Sequence, residues 1–161
     1  MDATATSTSR SLSEALDGHR FAMVTTADGD TLTARPLTLL EHDGSTLRFL
    51  VSRSAPWTAD LTGGGPVGAA FADPGDNSYT SVSGHGTLSF DPALIDRLWN
   101  PVAGVYFDGE DDPDIAVLEV AVTGGEWWEG PSSKVGQAID LLVTKVTGRS
   151  PADEHGDVAP G

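Results

Sequence analysis

The gaps between strand-like segments limit this chain more than any other feature. Phe21–Thr26, Thr31–Leu40, Thr46–Ser52, Val67–Ala72 and Tyr79–Phe90 succeed one another across turns such as Ala27-Asp28-Gly29-Asp30, His42-Asp43-Gly44-Ser45 and Asp73-Pro74-Gly75-Asp76-Asn77. Parallel neighbours need a crossover of about a dozen residues or more, and too few connections here are long enough to hold one. Ile115–Val122 alternates in the same way, Gly124-Gly125 interrupts it, and Glu126-Trp127-Trp128 resumes it. Six or seven strands with mostly short turns therefore predict an antiparallel barrel or sandwich.

Local signals refine that outline. Asp28-Gly29 favours a hairpin. Pro36 donates nothing to a ladder, so its strand lies at an edge or bulges near Arg35. Gly84 and Gly86 permit the bend of a barrel corner. Ser11 with Glu14 forms a capping box for a short helix carrying Leu12, Ala15 and Leu16 on one face and ending at Gly18. Pro56–Leu61 predicts a second short helix ended by Gly63-Gly64-Gly65, and Asp91-Pro92 starts a third through Leu94, Ile95, Leu98 and Trp99. A final helix is expected after Ser132 or Ser133, with Val135, Ile139, Leu142 and Val146 as its apolar positions.

With 161 residues the chain suits one domain. Residues 1–8 and 149–161 are small and polar and are expected to be a disordered and a flexible tail around a barrel domain at 9–148. The formal charge of −15 repels nucleic acid and anionic membranes. No stretch has the run of about 20 apolar residues that a membrane span needs, and the first ten residues lack a signal core; a cytoplasmic location is expected. Cysteine is absent, which excludes disulfides and thiolate chemistry.

Most motif-like stretches carry no chemistry. The three consecutive glycines follow a helix, matching neither a P-loop nor a dinucleotide fingerprint. Asp108, Glu110, Asp112 and Asp114 fall at calcium-loop positions, but Pro113 stands where the loop needs glycine, so the run reads as a solvated turn. The four histidines lack metal-ligand spacing, so no metal site is expected, and there is no nucleophile elbow. Arg35, beside Pro36, is either a phosphate-directed fork or a surface arginine on an edge strand. Trp127 and Trp128 face opposite sides of their strand: one belongs to the core or an interface, and the other is free to stack on a flat ring.

The pieces FAMVTTADGDTLTARPLTLL, LRFLVSRSAPWTADL and YTSVSGHGTLSFD resemble the pyridoxamine-phosphate-oxidase-like, FMN-binding split-barrel superfamily, and within it the general stress protein 26 family. The likeness extends through Trp99-Asn100-Pro101, then Phe107 to Asp114 as Phe-x-Gly-x-Asp-Asp-Pro-Asp, then Glu126-Trp127-Trp128, and covers about residues 10–148. It implies a six-stranded antiparallel split β-barrel with peripheral helices, forming a homodimer whose FMN sites lie in the interface. It further implies that Arg35, with Pro36 beside it, helps hold the FMN phosphate and that Leu50, Val51 and Ser52 lie along the isoalloxazine ring. The partner chain would add contacts from Ser81 to Gly84 and from Trp127 or Trp128.

The sequence departs from that pattern at the phosphate. Where the family commonly has a threonine ending the third strand and Ser-x-Lys opening the helix, this chain has Val51, Ala55 and Trp57. Each missing charge-assisted contact costs about 1.5–3 kcal/mol, so FMN affinity is expected to fall about a hundredfold or more unless Arg53 reaches the phosphate or Trp57 stacks on a ligand in a remodelled pocket. The resemblance thus leaves two classes of function: a flavin-dependent oxidoreductase or stress-related flavin-binding protein, with no catalytic side chain identified, or a non-enzymatic dimeric barrel that has lost FMN. A weaker third reading is a pocket for another flat molecule, such as a tetrapyrrole ligated by His85.

Overall fold

Nine strands form one sheet in the computed structural model, which describes residues 9–130 and 154–160. They are β1 (Arg10–Ser11), β2 (Phe21–Asp28), β3 (Thr31–Thr38), β4 (Glu41–His42), β5 (Thr46–Ser52), β6 (Gly65–Asp73), β7 (Ser78–Ser89), β8 (Ile115–Glu129) and β9 (Glu154–Ala159). The six long strands run in the order β3-β2-β6-β7-β8-β5, every pair antiparallel. Between β5 and β3 the ladder stops; Leu40 N–H donates to the Arg48 carbonyl (3.0 Å) and β4 pairs with Leu47 and Arg48, but among the described residues β3 itself pairs with β2 alone. The result is a split barrel.

Two expectations need correction. The expected split barrel of six long strands is present, but among the described residues its sheet has three further strands, and residues 154–159, expected in a flexible tail, form one of them, β9. β9 and β1 follow from the length of β8, whereas β4 pairs with β5. Its first half pairs with β5 and its second half, Gly125–Glu129, runs beyond the barrel and offers an open edge. β9 covers that edge, β1 covers β9, and Val158 enters the core at 3% exposure. A composition rich in Asp, Gly and Pro does not reveal an edge waiting elsewhere in the chain. Residues 1–8 and the helix expected after Ser132 lie outside the described residues.

Inward positions alternate along the strands as a pleat requires. Ala22 and Val24, Leu47, Phe49 and Val51, Val67, Ala69 and Phe71, and Leu118 and Val120 fill the barrel. Leu12, Ala15 and Leu16 of α1 (Leu12–Ala15 and its cap) close one part of it, and the expected capping box is present: the Glu14 N–H donates to Ser11 Oγ (3.2 Å) while the Ser11 N–H donates to Glu14 Oε2 (2.8 Å). α2 (Pro92–Leu98), capped by Asp91, packs Ile95 and Leu98 against Ile115 and Val117 on the outer side of the β5–β8 pair.

The barrel corner lies where the glycines predict it. Register shifts between Ser83 and Gly84, leaving Thr123 as the extra residue on β8. A Cβ on Gly84 would lie 2.2 Å from the Ala121 carbonyl oxygen, so only glycine allows that approach.

Candidate functional site

The site forms where the barrel is split. Pro36 is tolerated because β3 is an edge, and the residue before it, opposite Val24, directs its side chain toward the barrel side of the sheet with Thr26 and Thr33. That residue is Arg35. Its Nη1 donates to the Val24 carbonyl (3.2 Å) and to Thr26 Oγ1 (2.9 Å), and its Nη2 donates to Thr33 Oγ1 (2.6 Å).

The connection after β5 supplies the other half. Pro56–Leu61 is a 3-10 helix, in which residues three apart stand one above the other. Trp57 and Asp60 therefore share a face. The Trp57 ring lies 4.4 Å from the Arg35 guanidinium carbon, and Thr26 Oγ1 donates to Asp60 Oδ2 (3.2 Å). Thr58, 3% exposed, anchors the helix by its hydroxyl, which lies 2.7 Å from the Ala55 carbonyl and 3.0 Å from that of Arg53. Burial lowers the Arg35 pKa, and the Asp60 carboxylate works against that shift.

Along the seam, β5 presents a strand edge. The Arg48 carbonyl faces β4, and by ladder alternation the N–H and C=O of Leu50 and the N–H of Ser52 turn to the same side. Among the described residues no strand pairs with that edge beyond Arg48. The three β5 side chains divide between faces: Val51 is in the barrel core, Leu50 packs in the α2 cluster, and Ser52 donates to Asp114 Oδ2.

Other expected site residues lie elsewhere. Arg53 stacks over Phe90 at 4.2 Å and its backbone N–H bonds to Asp114, whose carboxylate pKa is lowered first by the Ser52 hydroxyl. Trp127 is 3% exposed, inside the core beneath the Arg10 guanidinium (3.4 Å), and lines no cleft among the described residues; Trp128 is half-buried opposite Tyr79 and His155. The Asp112 carboxylate accepts from the N–H groups of Asp108 and Asp114, which makes the acidic run a self-bonded turn. No group of three or more potential metal ligands occurs among the described residues. Thr26, Thr33 and Asp60 were not singled out by the sequence reading. Two signals were available: Thr26 continues the inward series Ala22, Val24, and Asp60 stands three residues after Trp57.

A split barrel with an open β5 edge and an arginine at one end of the seam defines the class, a split β-barrel of the FMN-binding type. The chain belongs to the family described as pyridoxamine 5'-phosphate oxidase like, whose model matches residues 7–152. It is 26% identical over 151 residues to the protein bli-3 of Neurospora crassa, covering 86% of this chain and 72% of that one. It is also 26% identical to general stress protein 26 of Bacillus subtilis, over 66% of this chain and 78% of the relative. Among solved structures, the general stress FMN/FAD binding protein of Xanthomonas citri superposes with a TM-score of 0.66 at 32% identity, covering 74% of this chain and 86% of that one. A general stress protein 26 homologue from Jannaschia shares the fold, with a TM-score of 0.71 at 21% identity over 91% and 94% of the two chains.

Proposed function

We propose that this protein is a homodimeric, cytoplasmic flavin-binding split barrel, with the isoalloxazine ring seated on the open β5 edge and its sugar end directed toward Arg35. The open edge at Leu50 and Ser52 carries the reading. The pyrimidine side of an isoalloxazine alternates carbonyl acceptors with an N–H donor, and a strand edge offers the complementary alternation of N–H and C=O. The relationship to the Xanthomonas protein, whose name includes FMN/FAD binding, supports the same ligand class. A bound flavin supplies the hydride and electron chemistry; the chain's residues bind and orient it, with Leu50, Ser52, Arg35 and Trp57 in those roles.

The dimer reading rests on the outer face of β2, β3, β6 and β7. Its outward positions are Phe21, Met23, Thr25 and Ala27, then Leu32, Ala34, Pro36 and Thr38, then Pro66 to Ala72 and Tyr79 to His85 in alternation. None is Asp, Glu, Lys or Arg in a chain of net charge −15, and Phe21 and Leu32 are 68% and 71% exposed. A face so free of charge is suited to meeting its own copy. The resemblance that implies a dimer also implies flavin sites at its interface.

A second reading, a barrel that no longer takes flavin and serves as a dimeric binding module, is favoured by the engaged state of Arg35. Titrating cofactor-stripped protein into flavin and following fluorescence quenching separates the two. Saturable binding at about micromolar Kd or tighter is expected. A flat titration, with no visible flavin band in the untreated protein, rejects the flavin reading in favour of the module.

A further inference from the structure

The Arg35 end of the site is built unlike a clamp for a dianion. Three of the guanidinium's hydrogen bonds are already made, to the Val24 carbonyl, Thr26 Oγ1 and Thr33 Oγ1, and Trp57 covers one of its faces at 4.4 Å. Through Thr26 the arginine is tied to the Asp60 carboxylate, so the positive charge has an internal counterion. Of the other arginines described, Arg10 pairs with Glu129, Arg48 and Arg97 share Glu41, Arg53 lies over Phe90, and Arg20 is exposed on the surface just before β2. A phosphomonoester carries nearly two negative charges near neutral pH and would approach a protein of net charge −15.

We infer that this site selects a flavin by its ring and sugar and not by a terminal phosphate, so that riboflavin and FMN are held almost equally. The inference rests on the flavin reading for its ligand, but the geometry behind it is independent: Trp57 stacks on the arginine that a phosphate would need, Val24, Thr26 and Thr33 take three of its N–H bonds, and Asp60, one turn after Trp57 on the 3-10 helix, reaches it through Thr26. Trp57 presents its ring where a sugar or a second flat surface packs, and Asp60, linked through Thr26, opposes the charge that would otherwise draw an anion.

The test compares Kd values for riboflavin and FMN by fluorescence quenching in the wild-type dimer, in Asp60→Asn and in Trp57→Lys. Asp60→Asn keeps the size of the side chain and an acceptor for Thr26, so it stays informative if the lysine variant folds poorly. In the wild type the two affinities are expected to agree within about threefold, whereas one charge-assisted phosphate contact alone is worth about tenfold or more. In each variant the preference for FMN is expected to rise by about fivefold or more as the arginine is freed or a second cation is added. A wild-type preference for FMN above about threefold, or variants whose preference does not move, overturns the inference.

Inorganic phosphate gives a flavin-independent arm. At matched ionic strength it is expected to leave the wild-type Tm unchanged and to raise that of Asp60→Asn saturably. Saturable stabilisation of the wild type, or none in the variant, counts against the inference even if no flavin binds. Loss of all flavin binding with the phosphate result intact rejects the functional reading alone.

Discussion

At the scale of single residues, charge placement decides more than charge count. Asp43 accepts from the backbone N–H groups of Thr46 and Ser45, and its Oδ2 lies 3.1 Å from Arg48 Nη1. The turn bonds, and secondarily Arg48, hold its pKa down to about 2 from an ordinary 3.8. A carboxylate with a folded pKa below its unfolded one takes up protons more readily when unfolded. It therefore stabilises the fold above about pH 4 and loses that contribution as pH falls toward 2. Asp43→Asn keeps a turn acceptor and removes the titration, so urea unfolding should show a shallower loss of stability between those pH values; identical profiles would contradict the assignment. Arg35 shows how far residue-level reading reaches: its place beside Pro36 on an edge strand was legible, but its partners were not. Thr26, Thr33 and Asp60 belong to three different elements, and only the folded seam brings them together.

Elements were largely legible because their signals are local. The capping box at Ser11, the cap at Asp91, the edge position of Pro36 and the corner at Gly84 each depend on a few neighbouring residues, and each stands where the sequence puts it. The corner makes a sharp prediction. Gly84→Ala forces a Cβ to within 2.2 Å of a backbone oxygen, whereas at Gly124 a Cβ meets nothing within 4 Å. The first substitution should cost about 1–3 kcal/mol in chemical denaturation and the second much less. Equal costs would mean that the bulge relaxes freely. β9 was missed for the opposite reason: its stability comes from the edge of β8 and the burial of Val158, which no local pattern announces.

For the whole molecule, the alternation of strands and short turns predicted a barrel or a sandwich, the family resemblance selected the split barrel, and the split between β3 and β5 holds the proposed flavin site. The uncharged outer face of β2, β3, β6 and β7 makes the assembly testable: Met23→Asp, on an outward position already 47% exposed in the single chain, should leave the barrel folded by circular dichroism while shifting sedimentation from dimer to monomer. An unshifted dimer would place the interface elsewhere. The seating of the ligand is tested most directly by a crystal structure of the protein grown with riboflavin. The account predicts an isoalloxazine ring along the Leu50–Ser52 edge of β5, its ribityl chain toward Arg35 and Trp57, with the two copies meeting through that outer face. A ring bound anywhere else, or a β5 edge covered by protein in the saturated crystal, would contradict it.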